Sequence, residues 1–190
     1  VVRRIPHFDA TGLLVSFFSD CVGKLPRNDV TRLHQLDSTY QRRIEAMEFA
    51  LEHDDSLGIR SLREADVVIV GVSRVSKTPT TIYLGSRGYK AANISIAPET
   101  GIPPELVRIS KKKIVAFTAQ PKHLQQIRIR REKEMGIAET SYADLENIIR
   151  EVMEAEEQYR RRGYPIIDVT NLTIEQTVVQ IVEQLGLQSR

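Results

Sequence analysis

The stretch that most constrains the fold runs from Asp66 to Pro79 and reads DVVIVGVSRVSKTP. Four consecutive β-branched residues, Val67 to Val70, predict a strand buried on both faces, and Gly71 ends it. The following residues approximate the phosphate-binding pattern G-x-x-x-x-G-K-[ST], with Gly71, Lys77 and Thr78 at the required spacing. In such a loop successive backbone N–H groups point at a bound phosphate, and the next helix adds its positive N-terminus.

The predicted loop assigns chemistry to two side chains. Lys77 can reach the terminal phosphates of a nucleotide, and the Thr78 hydroxyl can ligate Mg²⁺. The second glycine of the pattern is replaced by Ser76, which must tolerate a positive φ or impose a different turn. An ordinary strand–turn–helix connection with a chance lysine is the alternative. The predicted phosphate-binding residues are Gly71, Val72, Ser73, Arg74, Val75, Ser76, Lys77 and Thr78.

Composition narrows the class of protein. The chain has 190 residues, enough for one domain with a substantial core, and its net charge of +2 does not argue for nucleic-acid binding. A single cysteine, Cys21, excludes an internal disulfide and fits a reducing compartment. No apolar run is long enough to span a bilayer. The chain begins at Val1 rather than methionine, so we expect a fragment or processed form that lacks an upstream region.

Apolar patterning predicts an α/β fold in which strands alternate with helices. Three further strands are expected at residues 91–97, 114–118 and 165–169, and helices follow from Pro121, from Tyr142 to Arg162, and after a capping box at 173–176. Before the first strand, Tyr40, Ile44, Met47 and Leu51 recur at helical spacing and predict an apolar helix face. The alternation favours a mainly parallel sheet with its ligand site at the carboxyl ends of the strands.

Two charged clusters are candidates for chemistry. Asp54 and Asp55 follow a predicted helix, where adjacent carboxylates could hold Mg²⁺ or accept a hydroxyl proton; solvated turn aspartates are the alternative. The helix after Pro121 carries Arg128, Arg130 and Arg131, which could project toward phosphates or form a solvated basic face. The residues alone leave both questions open.

Several segments together resemble the regulatory proteins of pyruvate, phosphate dikinase, a family of bifunctional kinase/pyrophosphorylases that includes the phosphoenolpyruvate synthase regulators. The similarity covers roughly residues 30 to 185 and centres on GVSRVSKTP at 71–79, which is unlike common phosphate loops. Further matching segments are HDD at 53–55, IYL at 82–84, GYKAAN at 88–93, IR at 127–128 and DVTN at 168–171. The chain departs from the family at Ser56, where a glycine is usual, and in lacking the usual N-terminal region.

The resemblance implies a P-loop kinase-like fold and two opposed reactions. The kinase would move the β-phosphate of ADP to a threonine of the dikinase, giving AMP, and the second activity would use inorganic phosphate to remove that group as pyrophosphate. Asp54 or Asp55 would orient or deprotonate the threonine, and Arg74 would face the transferred group or inorganic phosphate. Arg128 and Arg131 would neutralise charge during transfer, with Mg²⁺ on Thr78.

The resemblance also implies partners and organisation. Ser76 favours the dikinase over the synthase as the target protein. A small-molecule kinase of the nucleotide-kinase type and a non-catalytic ADP-binding module remain as alternatives. We expect residues 1–30 to form an N-terminal helix and linker, the remnant of the upstream region, and residues 31–190 to form the kinase/pyrophosphorylase domain. An exposed apolar helix at 11–22 would favour a homodimer, located in a bacterial cytoplasm or a chloroplast stroma, with no nucleic-acid or membrane partner.

Overall fold

The computed structural model describes residues 12–25, 38–97, 101–136 and 140–188. The chain divides into two compact units, Val1–Asp37 and Ser38–Arg190. In the first unit, helix α1 spans Gly12–Val22 and carries exposed apolar side chains such as Phe17. The predicted linker lies mostly outside the described residues. The division at residue 30 and the homodimer therefore stay predictions.

The second unit alternates helices with strands, as the sequence predicts. Its helices are α2 (Ser38–Glu52), α3 (Lys77–Ser86), α4 (Pro121–Met135), α5 (Leu145–Arg162) and α6 (Ile174–Leu185). Its strands are β1 (Val67–Gly71), β2 (Ala91–Ser95), β3 (Ile114–Thr118) and β4 (Ile166–Asp168). Short 3₁₀ helices cover Ile59–Glu64, Pro104–Arg108, Lys111–Lys113 and Ser141–Ala143. Within the described residues no helix is long and apolar enough to cross a membrane.

The four strands form one parallel sheet in the order β2-β1-β3-β4. All five residues of β1 are buried, which explains its unbroken apolar sequence. The chain leaves β1 for β2 on one side and then crosses back to β3 on the other side. The carboxyl ends of β1 and β3, where Gly71 lies opposite Phe117, therefore flank the switch point at which parallel sheets bind ligands. The α/β fold of the P-loop kinase type is confirmed.

The predicted helix ends are mostly confirmed. Thr173 and Gln176 form the capping box of α6, and Gly163 ends α5 in the left-handed conformation. The predicted start of α5 at Tyr142 is wrong. That residue lies in the preceding 3₁₀ helix, and Asp144 caps α5 by accepting a hydrogen bond from the Asn147 backbone N–H.

The predicted helix with an apolar face is present as α2, but the predicted apolar stripe is not its buried face. Four residues of that stripe are exposed: Tyr40, Ile44, Met47 and Leu51. The buried face is formed instead by Ala46, Phe49 and Ala50. The backbones of α2 and α3 pack closely beside this face, because a Cβ on Gly85 of α3 would lie 3.1 Å from the Ala46 carbonyl oxygen. The sequence also predicts Asp37 or Ser38 as the cap of this helix; Ser38 is its first residue, and Asp37 lies outside the described residues.

The segment after α2 docks on β2, an edge strand of the sheet. Asn93 donates its backbone N–H to the His53 carbonyl (3.0 Å), and the Ser56 N–H donates to the Asn93 carbonyl (3.0 Å). The buried His53 ring stacks on Phe49 and contacts the Ser61 hydroxyl (2.7 Å), which is a structural role. This docking carries the two residues between His53 and Ser56, the aspartate pair, to the sheet.

Candidate active site

The loop from Gly71 to Thr78 joins β1 to α3, as the phosphate-binding pattern requires. A Cβ at Gly71 would lie 2.7 Å from Cγ2 of Val75, so only glycine fits where the loop begins. Arg74 and Ser76 have φ values of +74° and +57°. The serine in place of the second glycine therefore adopts the left-handed conformation rather than a different turn.

Lys77 is buried beneath this loop, with 6% of its surface exposed. Its ammonium group donates to the Val72 carbonyl at 2.7 Å. Burial lowers the pKa of Lys77 from 10.5 to about 8, and the nearby carboxylates of Asp55 and Asp54 partly oppose that shift. A bound phosphate would add negative charge beside this amine and favour its protonated form.

Asp54 lies directly beside the loop. The Thr78 hydroxyl donates to its Oδ1 at 2.7 Å, and the buried Asn93 side chain donates to the same oxygen. A hydroxyl that donates its proton to a carboxylate leaves its lone pairs available to a cation. The Thr78–Asp54 pair is therefore a suitable set of hard oxygen ligands for Mg²⁺. Within the described ranges no cluster of three or more His, Cys, Asp or Glu could hold a metal, so phosphate and water oxygens would complete such a site.

Asp55 is oriented by separate contacts. Its backbone N–H donates to Oδ1 of Asn93 at 2.9 Å, and the Ser95 hydroxyl donates to its carboxylate. Asp55 and Ser56 have φ values of +47° and +69°, which explains why a glycine would suit position 56. Here Ser56 gains a compensating contact, because its hydroxyl accepts the Ser95 N–H at 3.0 Å.

Arg128 contacts the backbone of the phosphate loop at Ser73 and supports it. It is 2% exposed and forms a two-pronged ion pair with Glu151, at 2.7 and 3.0 Å. It also donates to the carbonyls of Ser73 and Tyr142, each at 3.1 Å, and the Tyr142 hydroxyl lies 2.8 Å from the Ser73 hydroxyl. The structure thus ties α4 and α5 to the loop at Ser73. The predicted role of Arg128 in neutralising the transferred group stays a prediction.

The other arginines differ in position. Arg74 is exposed on the loop and lines the cleft in front of it. Arg131 is 45% exposed, pairs with Glu134 at 3.7 Å, and is not among the residues that line this cleft. The structure therefore brings Arg74 to the candidate site but not Arg131.

The cleft in front of the loop, which we call the first cleft, has a volume of about 450 Å³. Its lining combines loop residues with the aspartate pair and its supports: Asp54, Asp55, Ser73, Arg74, Ser76, Lys77, Thr78, Pro79, Asn93, Ser95, Ile127 and Tyr142. Sequence reasoning did not assign roles to Ser95, Tyr142 or Glu151. For Ser95, the position at the carboxyl end of β2 was the available signal; the pairing of Glu151 with Arg128 had none.

Comparison with known proteins identifies the family to which this site belongs. The model of the kinase/pyrophosphorylase family matches residues 2–182. A Halothermothrix orenii protein provisionally named pyruvate, phosphate dikinase regulatory protein is 42% identical over 97% of this chain and 70% of its own length. A Clostridium perfringens protein of the same name is 42% identical over 98% of this chain and 71% of its own. A Syntrophomonas wolfei protein, whose name adds the number 2, is 39% identical over 92% of this chain and 64% of its own.

These relatives are longer than the chain, which spans about two thirds of their length. Within that span the match includes the phosphate loop, the aspartate pair and the sheet that carries them. The chain belongs to the kinase/pyrophosphorylase family.

Proposed function

We propose that the chain regulates pyruvate, phosphate dikinase by two opposed phosphoryl transfers. In one, the β-phosphoryl group of ADP passes to a threonine of the dikinase, releasing AMP and inactivating the target. In the other, inorganic phosphate removes that group as pyrophosphate and restores activity. The family match supports an activity of the kinase/pyrophosphorylase type, and the names of the relatives support a role as a regulator of the dikinase.

The observation that carries the proposal is the convergence of three elements in the first cleft. The loop supplies backbone N–H groups and Lys77 for phosphates, Thr78 and Asp54 supply oxygen ligands, and Asp55 supplies an exposed carboxylate. Phosphoryl transfer depends mainly on positioning and on stabilising negative charge, and these are the groups that it uses.

Each group has a defined part in the forward reaction. Lys77 and the loop would hold the phosphates of ADP, and Arg74 would face the group in transit. Mg²⁺ bound at Thr78 and Asp54 would neutralise charge on the phosphate oxygens. A carboxylate of the aspartate pair would accept the proton of the threonine hydroxyl as its oxygen bonds to phosphorus.

The same groups serve the reverse reaction. Inorganic phosphate would occupy the loop at the place that the phosphates of ADP take in the forward reaction. One of its oxygens would attack the phosphorus of the phosphothreonine. The bond from that phosphorus to the threonine oxygen breaks, and pyrophosphate leaves. The threonine oxygen takes the proton of the attacking phosphate, passed through a carboxylate of the aspartate pair. One anion site can support both directions because each passes a phosphoryl group between anions at the loop.

The test is to incubate the chain with the dikinase in its phosphohistidine form, supplying ADP and ATP separately. Mass spectrometry would detect phosphothreonine, and added phosphate should then release pyrophosphate. We expect modification with ADP alone. Lys77→Met should reduce transfer by at least about 10³-fold, because the buried ammonium is removed from the phosphates. Lys122→Met, at an exposed lysine on α4, is the matched control and should leave transfer unchanged.

Other outcomes would replace the proposal. Modification of phosphoenolpyruvate synthase but not the dikinase would identify the other target class. Consumption of ATP with a small acceptor would indicate a metabolite kinase. Tight ADP binding without turnover on any acceptor would indicate a nucleotide-binding module.

A further inference from the structure

A pocket of about 350 Å³, which we call the basic pocket, lies between two of the 3₁₀ helices. One wall comes from the helix Ile59–Glu64, which precedes β1, and the other from the helix Pro104–Arg108 and the residue after it, which precede β3. The pocket therefore lies at the amino ends of these strands. The five residues of β1 span about 17 Å, so the pocket and the phosphate loop are at opposite edges of the sheet. The basic pocket and the first cleft have no described lining residue in common.

The geometry of these helices brings three arginines to the basic pocket. Side chains three residues apart eclipse one another in a 3₁₀ helix, so Arg60 and Arg63 extend from the same face. Arg108 lines the pocket from the opposite wall, and all three residues are exposed. Leu62 and Ile109, which are 1% and 7% exposed, form an apolar floor.

The protein itself does not neutralise this positive charge. Within the described ranges none of the three arginines forms an ion pair, and Glu105 is the one acidic residue among those that line the pocket. Lys113 adds to the charge nearby while its ammonium group holds the end of the first helix, donating to the carbonyls of Ala65 (2.6 Å) and Arg63 (3.3 Å). Exposed guanidinium groups that line one pocket without a counter-ion are a suitable site for carboxylate or phosphate oxygens, which they can bind bidentately.

The size and lining of the basic pocket restrict the class of ligand. Its volume is at the lower end of the range of about 300–1,000 Å³ for small-molecule sites, and no aromatic side chain is among its described lining residues. A nucleobase would find no ring to stack on there. A short carbon skeleton could instead cover the apolar floor while acidic groups at its two ends pair with arginines of the two walls.

The helix that carries Arg60 and Arg63 is joined to the segment of the aspartate pair. Between these arginines lies Ser61, whose hydroxyl is 2.7 Å from Nε2 of His53. Gly58, the N-cap of this helix, also lies against the His53 ring, because a Cβ there would be 2.6 Å from Cδ2 of the ring. His53 directly precedes the aspartate pair, so an anion that fixes the helix would also restrain the backbone that leads into the candidate active site.

We propose that the basic pocket is a regulatory site for a small organic anion that carries two carboxylate or phosphate groups. The anion pairs with arginines from both walls and thereby fixes the 3₁₀ helix that precedes β1. Through Ser61 and His53 it restrains the segment that carries the aspartate pair. The proposal is independent of the reaction proposed above, because it is tested by binding and by hydrogen exchange.

Isothermal titration calorimetry of the full chain with succinate and with phosphoglycerate tests binding, and the two probes distinguish a dicarboxylate site from one that requires phosphate. We expect one anion bound per chain, with a Kd below about 1 mM for at least one probe. Arg63→Ala and Arg108→Ala, one from each wall, should each weaken binding at least about tenfold. Arg130→Ala, at an exposed arginine of α4 outside the pocket, is the matched control and should leave the affinity unchanged. Thermal melting of every variant verifies that it is folded.

Hydrogen exchange followed by NMR tests the connection to the aspartate pair. The anion, supplied at about ten times its Kd, should slow exchange of the Ala65 N–H, at the end of the 3₁₀ helix, and of the Ser56 N–H by up to about tenfold. Ser61→Ala removes the hydroxyl that contacts His53. This variant should retain anion binding and the slowing at Ala65 but lose most of the slowing at Ser56.

Several outcomes would overturn the proposal. Binding of neither probe, or affinity that is unchanged in both Arg63→Ala and Arg108→Ala, would exclude the basic pocket as the site. Binding that is lost in Lys77→Met but kept in Arg63→Ala would place the anion at the phosphate loop. Binding of a peptide rich in Asp and Glu but of neither probe would identify a surface for an acidic protein segment instead. Equal slowing at Ser56 in Ser61→Ala and in the unmodified chain, or no slowing in either, would show that the pocket does not act on the aspartate segment through this contact.

Discussion

Removing the guanidinium of Arg128 is the sharpest test of how the loop is supported. Arg128 is 2% exposed and its partner Glu151 14% exposed, so neither charge is well solvated. Arg128→Met deletes two bonds to that carboxylate and two to the carbonyls of Ser73 and Tyr142. Removing one partner of a buried ion pair leaves the other charge buried without its counter-ion and lowers the free energy of unfolding by about 3–5 kcal/mol. We expect a cost of about 3 kcal/mol, at the lower end of this range, because Glu151 also lines an open cleft of about 630 Å³ where water can reach it.

The double variant Arg128→Met with Glu151→Met separates the ion pair from general loss of packing. Replacing both members of a buried pair by apolar groups is often close to neutral, so the double variant should be more stable than Arg128→Met alone. The expected coupling energy is about 2 kcal/mol. Urea unfolding followed by circular dichroism measures each free energy, and calorimetry should show Tm for Arg128→Met lowered by about 6–12 °C. If the effects of the two single substitutions on the free energy of unfolding were additive, or if Arg128→Met cost less than about 1 kcal/mol, the stabilising role of the buried ion pair would be refuted.

Three further predictions concern the cleft. Because burial lowers the pKa of Lys77 from 10.5 to about 8, the unfolded chain binds a proton between these pH values that the folded chain has released. The free energy of unfolding should therefore rise with pH across that window by up to about 3 kcal/mol relative to Lys77→Met, as urea titrations at several pH values would show. Ser76→Gly should stabilise the fold by up to about 1 kcal/mol, because glycine tolerates the φ of +57° and the serine side chain makes no capping hydrogen bond. Ser76→Ala retains a Cβ and should not stabilise the fold. Equal melting temperatures for the two variants would contradict this explanation. Asn93→Leu should destabilise the fold by about 2–3 kcal/mol in urea unfolding, because it removes the donor to Asp54 and the acceptor of the Asp55 N–H; a cost below about 1 kcal/mol would show that this amide is dispensable.

Strands and the phosphate loop could be predicted because their signals are local. The run from Val67 to Val70 is apolar on both faces, and a parallel strand between two neighbours needs no other information. The loop follows it at fixed spacing, so Lys77 and Thr78 are placed by the chain itself. The aspartate pair could be proposed, but its contact with Thr78 depends on a segment docking against β2, which no local pattern encodes.

Contacts that the sequence did not predict arise where packing between elements decides the structure. The large apolar residues of α2 form an exposed stripe, whereas the face that packs against the domain carries Ala46, Phe49 and Ala50, and α3 approaches the backbone of α2 closely at Gly85. Arg128 resembled a phosphate ligand because arginine on such a helix often is one. Its bond to Glu151 joins two different helices, and spacing along the chain cannot reveal it.

Backbone strain identifies the cleft independently of family resemblance. In the described part of the chain, four residues other than glycine have a positive φ: Asp55, Ser56, Arg74 and Ser76. All four lie on the two segments that meet at the first cleft, and each such conformation costs about 1–3 kcal/mol when held by its surroundings. Strain of this size persists only where neighbouring contacts fix the backbone, and the contacts found here, from Asn93 to the aspartate pair and from Arg128 to the loop, do so. Because the strained segments carry the aspartates and the phosphate loop, these contacts hold both in one geometry, which the proposed phosphoryl transfer would use.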